Sequence, residues 1–510
     1  MERKHFLTLG AGLTVGSLMG KSTLISGAAD TPASNAHQDL ETQAQQQWLA
    51  QFQDNDKTPL PVEPSSQQPE ADGPYWDFVR SLFPLNPKIT FLNNGTMGIT
   101  PLPVLEALNK SFKNLAENAA YPMHDGSFEE QLAKLIGCKG SELAITKNVS
   151  EGVNLACRAI NLTRGDEVII TRHEHVGGCA PWLYRAKTEG IVLKVIELGA
   201  TAEDTLKRVK AAKTSKTKVV ALPHIPCTIG QVLPIKEICA WARENKIISA
   251  IDGAHPLGMI EFSLKDLGCD YYSGCFHKWL LGPIGTGFFY ASESILPQSV
   301  IHHVAAYSVD TFNMSTVPPS VGELVPKTAR YSYGTFPGPM YDGARAAMKF
   351  YVSIGPQLIE KRVKLLSQTL MNGLMERNNR AKGPNGKDPN AAGQPPVMWK
   401  MHNSQGPIIQ ILTPLEDISR GAQVGFTIKG LKENTTEQTP NSPANTSISK
   451  PPTASQRFCD FARKNNVILR YVAENDIHCV RVSTHYYNNL NDLEVFFKVL
   501  DDFLKEEGWY

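Results

Sequence analysis

Two short apolar runs, each followed by a charged residue, constrain this chain more than any other feature. Lys246-Ile-Ile-Ser-Ala-Ile251 reads as a buried strand, and Asp252-Gly253-Ala254-His255 ends it. An aspartate there is costly unless it meets a cation; otherwise it caps the next helix. Downstream, Lys278 sits among Phe276, His277, Trp279, Leu280 and Leu281, just ahead of Gly282-Pro283 and the glycine-rich Ile284–Tyr290. Surface lysines keep polar company. A lysine among aromatics and leucines is either a nucleophilic amine or a structural residue whose ammonium reaches water over an apolar stem. The strand-like Asp270–Gly274 lies between the two motifs, so neighbouring strands can deliver both charged groups to one sheet edge.

A lysine of this kind is used above all as a Schiff base with pyridoxal phosphate, and an acid beside the pyridinium nitrogen lets the ring accept electrons from a substrate carbanion. With Asp252-Gly-Ala-His255 and His277-Lys278-Trp279-Leu280 in this order, the chain resembles the class V aminotransferase-type enzymes of the fold-type I pyridoxal phosphate superfamily. Within that group it is most similar to the isopenicillin N epimerase-like branch, from about Phe91 to the C-terminus. The resemblance implies an α/β fold, with a mostly parallel seven-stranded sheet flanked by helices and a smaller α+β C-terminal domain. It also implies pyridoxal 5′-phosphate as cofactor and a homodimer with shared active sites.

Weaker blocks follow in the family's order. Ile145–Asn154 resembles the phosphate loop, with Asn148, Val149 and Ser150 at the start of a helix whose free N–H groups suit an anion; a plain surface N-cap is the alternative. His175, after the strand Glu167–Ile170, matches the position whose ring stacks on the pyridine. The His173/His175 pair has no evident third ligand nearby, so no metal is expected. By resemblance, His255 lies near the phenolic oxygen and His277 near the phosphate. Gly334-Thr335 corresponds to the loop donated to the partner subunit's phosphate, or is a simple turn. Arg481, in the β-rich Cys479–Ser483, corresponds to the arginine that grips a substrate carboxylate through two parallel hydrogen bonds. Asn94 is expected at the substrate pocket.

Two positions depart from the pattern. Cys275 stands where relatives carry Ser or Asn three residues before the lysine, which weakens one phosphate contact. Cys227 stands where the sulfur-mobilising branch carries Asn, and cysteine is a poor donor. No cysteine occurs in Asn465–His478, the stretch where desulfurases place their nucleophile, and Cys479 reads as a small core hydrophobe.

The chain has 510 residues, 42% of them hydrophobic, with 51 basic against 50 acidic side chains. Near-zero net charge offers no electrostatic case for nucleic acid. Nine cysteines without CxxC spacing make neither a zinc pattern nor a disulfide framework. Residues 1–29 read as an export signal resembling the twin-arginine type, with Lys4 replacing the second arginine; the apolar run is too short to span a bilayer. Residues 30–72 read as a polar linker, 73–344 as the cofactor-binding large domain and 345–510 as the small domain, with flexible insertions near 378–396 and 431–455. The expected activity is epimerase- or lyase-like, at the α-carbon of an amino acid. Aminotransferase, desulfurase or selenocysteine lyase-type activity and a non-catalytic exported binding protein are the alternatives.

Overall fold

The strands richest in Val, Ile, Leu and aromatics are buried on both faces, as continuous apolar runs require. A computed structural model describes residues 32–54, 58–119, 121–122, 124–301, 304–305, 308–332, 334–380, 407–430 and 452–509. Contacts divide the chain into two units, Met1–Ala44 and Gln45–Tyr510. The first contributes the opening turns of helix Pro32–Asp54; the second holds both sheets.

The large sheet has seven strands. In spatial order they are Leu143–Thr146, Gly287–Ala291, Tyr271–Cys275, Ile248–Gly253, Thr217–Pro223, Glu167–Thr171 and Val192–Ile196. Gly287–Ala291 runs antiparallel to both neighbours, and the four strand pairs beyond Tyr271–Cys275 are parallel. Alternate residues feed two cores. Ile169, Val220, Ile251 and Tyr272 enter one; Val168, Val219, Ala250 and Tyr271 enter the other. Burying each Val or Ile among these is worth about 1.5–3 kcal/mol. Asp252 is register partner of Ser273, so the aspartate strand and the strand leading to Lys278 are direct neighbours. Helix Val149–Ala159 lies across both.

A four-stranded antiparallel sheet, ordered Ile409–Ile411, Gln423–Ile428, Cys479–Ser483 and Arg470–Val472, carries Arg481. Its core includes residues of helices Pro356–Arg380, Ala454–Lys464 and Leu490–Glu507.

Two boundaries differ from expectation. The region 30–72 is not simply a linker: helix Pro32–Asp54 runs through it, and Trp48, Leu49 and Phe52 are buried against Phe350 and its neighbours. The division at 344/345 falls inside helix Gly338–Ile354, which continues unbroken through Gly343; the chain turns at Gly355-Pro356. The expected export segment and most of the two insertions lie outside the described residues. Among the described residues, no helix is long and apolar enough to cross a membrane.

Candidate active site

Parallel strands place their C-terminal ends along one edge of the large sheet, where open α/β sheets bind ligands. Thr146, Thr171, Pro223 and Gly253 close such strands, and Cys275 closes the strand that leads to Lys278.

Lys278 is half-buried, and its Nζ lies 3.1 Å from His255 Nε2. Its backbone is clamped. Asn94 Nδ2 donates to the Lys278 carbonyl at 3.2 Å, and Tyr487 donates to Asn94 Oδ1 at 3.0 Å. Gly98 N donates to the His277 carbonyl at 2.9 Å, and a Cβ on Gly98 would press into the Lys278 carbonyl oxygen. Leu281 holds a left-handed φ of 63° just beyond, a strained conformation of the kind that collects at functional sites.

Asp252 is fixed by a 2.9 Å hydrogen bond from Ala254 N to Oδ1. Burial raises its pKa, against the pull of Lys278. Its Oδ2 faces Gly178, where an added Cβ would lie 3.0 Å from Asp252 Oδ2 and 3.4 Å from Glu174 Oε2. The buried carboxyl of Glu174 and the half-buried one of Asp252 therefore share one small cavity, lined also by Val153, Trp182 and Ser273. Glu174 accepts from Thr171 N at 3.2 Å and Thr171 Oγ1 at 3.0 Å. Burial first, and Asp252 second, push its carboxyl up to about 8. Burial thus shifts both carboxyls of the pair upward.

His175 caps helix Val176–Glu189, its Nδ1 accepting from Gly177 N at 3.1 Å. Burial lowers the ring to about 4, leaving it neutral. His173 instead faces Thr228 Oγ1 at 2.8 Å. Asn148 caps helix Val149–Ala159 by accepting from Glu151 N at 3.0 Å; Asn148 and Ser150 are exposed, and Val149 is buried. A Cβ on Gly177 would meet the Ser150 hydroxyl, so this helix start and the His175 turn are in contact. His277 Nδ1 is buried with no hydrogen-bond partner among the described residues. The Cys275 thiol donates to the Ala254 carbonyl at 3.5 Å, and burial pushes it up to about 11. Gly334 and Thr335 are exposed; Thr335 meets Tyr121 at 3.4 Å, and neither makes a hydrogen bond to the groups above.

Arg481 is fully buried. Nη1 donates to the Cys227 carbonyl at 2.8 Å, and Nη2 donates to Asn93 Oδ1 at 3.0 Å and Thr96 Oγ1 at 2.8 Å. Every one of these partners is neutral, and Nε has none among the described residues. Burial, then the facing Arg470, lowers its pKa to about 9. A buried guanidinium without an anion is an expensive arrangement that a bidentate carboxylate relieves. Asn94, expected at the substrate, has both ends of its amide engaged in holding Lys278 and Tyr487; its neighbour Asn93 faces the arginine.

The aminotransferase class-V family model matches residues 90–396. The chain belongs to the aminotransferase class-V family. It is 30% identical over 233 residues to isopenicillin N epimerase of Amycolatopsis lactamdurans, covering 43% of this chain and 58% of that one. It is 27% identical over 328 residues to a probable cysteine desulfurase of Pyrococcus abyssi, covering 61% and 79%. The class-V fold is shared with apo cysteine desulfurase from Thermococcus onnurineus (21% identity, TM-score 0.65, covering 86% and 100%). It is shared too with a C-DES mutant bearing glycine linked to its PLP cofactor (22%, 0.66, 83% and 99%).

The class-V cofactor is pyridoxal phosphate, and the polar groups here suit it: a half-buried acid for the ring nitrogen, a neutral imidazole for the ring face, and a helix start for the phosphate, with a His277 Nδ1 that has no partner among the described residues. Glu174, Trp279, Asn93 and Thr96 are the site residues that sequence reasoning missed. Glu174 lies inside the same Thr171–His175 block as His175, so proximity to that motif was the available signal.

Proposed function

We propose that this protein removes the α-proton of a small amino acid and acts as an epimerase or lyase of the class-V type. The observation that carries this is the buried Arg481, whose hydrogen-bond partners among the described residues are all neutral and which together with Lys278 gives the site a carboxylate grip and an amine. Pyridoxal phosphate, when bound, supplies the electron sink that makes an α-proton removable. Arg481 holds the substrate carboxylate and orients its α-carbon. Lys278 takes and returns the proton there. Asp252 keeps a negative charge against the ring nitrogen, with the raised carboxyl of Glu174 beside it. His175 covers the ring face. The start of helix Val149–Ala159 and His277 serve the phosphate, and exposed Gly334-Thr335 is available to serve that of a partner subunit in a homodimer.

Persulfide chemistry is the less supported reading. Asn465–His478 contains no cysteine, and Cys479 is a buried strand residue whose thiol faces the Thr228 carbonyl at 3.7 Å. The test is a panel of L- and D-amino acids in D2O, followed by NMR for loss of the α-hydrogen and by chiral and mass analysis of products. Exchange that needs both Lys278 and Arg481 is expected. No exchange with any amino acid, or sulfide release from cysteine as the sole reaction, defeats the proposal. We further propose that residues 1–29 direct export; fractionation with N-terminal sequencing of the recovered protein checks it.

A further inference from the structure

Resting on that reading of Lys278 and His255, we propose that Trp279 is a positioning residue. It locks His255 in one tautomer, so that His255 presents a permanent Nε2–H donor to Lys278 and to the oxygen of whatever the lysine binds. The argument is one of direction. An indole N–H can only donate, and Trp279 Nε1 lies 3.0 Å from His255 Nδ1. The lone pair of the imidazole must therefore be at Nδ1. His255 is buried, and burial holds its pKa well below the usual histidine value. A neutral ring with its lone pair at Nδ1 carries its one proton at Nε2, and Nε2 is the atom 3.1 Å from Lys278 Nζ. In this contact the amine must offer its own lone pair.

Trp279 is itself held from behind. Tyr486 N donates to His485 Nδ1 at 2.7 Å, so the neutral, buried His485 carries its proton at Nε2 and donates it to the Trp279 carbonyl at 2.7 Å. Trp279 is almost wholly buried, with ring centroids 5.3 Å from His485 and 6.3 Å from His255, so the indole cannot turn its N–H elsewhere. A one-way chain of donors thus runs from His485 through Trp279 and His255 to the lysine. His255 is then no base at the α-carbon, and that role stays with Lys278.

The test reads the tautomer directly. Apoprotein labelled with 15N-histidine is observed by NMR, with His255 assigned by the signal lost in His255→Gln. His255 protonated at Nε2 alone is expected in the wild type. Trp279→Phe keeps the ring and removes the donor; there the Nδ1-protonated form should appear, and the apoprotein should take up pyridoxal phosphate about tenfold more slowly at neutral pH. A wild-type His255 protonated at Nδ1, or a Trp279→Phe protein with unchanged tautomer and uptake, overturns the proposal. Should Trp279→Phe not fold, His255 variants decide. A glutamine accepts from the indole and donates onward, so His255→Gln should take up the cofactor within about threefold of wild type and His255→Met about tenfold more slowly; equal loss in both overturns it. Wild-type protein that takes up no cofactor would count against the proposed function, while the tautomer measurement still judges this inference.

Discussion

Glu174→Gln should flatten the dependence of stability on pH just above neutrality. Glu174 rises from an ordinary 4.5 to about 8 in the folded chain. An acid whose folded pKa exceeds its unfolded one binds its proton more tightly when folded. Its contribution is therefore complete below about 4.5 and is lost as pH climbs through about 8. At about 1.4 kcal/mol per pKa unit, the whole span corresponds to up to ~5 kcal/mol, and the part between pH 6.5 and 8 to about 2 kcal/mol. The upper window is the informative one. His173, His175 and His255 have lowered pKa values. Their contributions run the other way, growing with pH until about a unit above 6.5, where the unfolded histidines have lost their protons, and they are the same in both proteins. Asp252 is the other raised carboxyl in the cavity. Glutamine can keep the hydrogen bonds from Thr171 while removing the titration. Urea unfolding of the apoprotein at several pH values from 6.5 to 8.5 checks this: wild type should lose stability with rising pH, and Glu174→Gln should lose about 2 kcal/mol less. Parallel curves for the two proteins would refute the shared-cavity reasoning, because a glutamate that is already ionised has nothing left to titrate.

Other perturbations separate the roles of the remaining groups. Lys278→Ala should abolish α-hydrogen exchange and leave bound cofactor removable by dialysis, as judged by absorbance; retention of a tightly held chromophore would remove the lysine from its place. Arg481→Met deletes a buried cation whose partners among the described residues are all neutral, and KM for amino acids should rise about a hundredfold with kcat less affected. Gly98→Ala forces a methyl toward the Lys278 carbonyl; it should cost about 1–3 kcal/mol in denaturant unfolding and reduce cofactor loading, since the backbone carrying the lysine must move.

What could be read from the chain is the identity of strand ends; what could not is which side chains meet across them. Glu167–Thr171 and Ile248–Gly253 announce themselves because a strand buried on both faces has no polar alternation to blur it, and each leads straight to its functional residue. Helix Pro32–Asp54 is hidden by glutamines; Trp48 and Phe52 lie one helical turn apart, yet the Phe350 they pack on is about 300 residues away. Asn93 and Asn94 show the limit most sharply. Both stand in one recognisable loop, but a parallel bridge between Asn93 and Ser483 sets the backbone so that the first meets Arg481 and the second turns to the Lys278 carbonyl. Glu174 is the same problem in electrostatic form. Nothing in Thr171–His175 says that this carboxylate is buried, because its burial first, and then the push of Asp252 from a strand two places across the sheet, are set by distant parts of the chain. A motif therefore predicts a role only as far as the group's partners are local. Groups whose chemistry is set by distant parts of the chain, as with Glu174, become legible only once the sheet order is known.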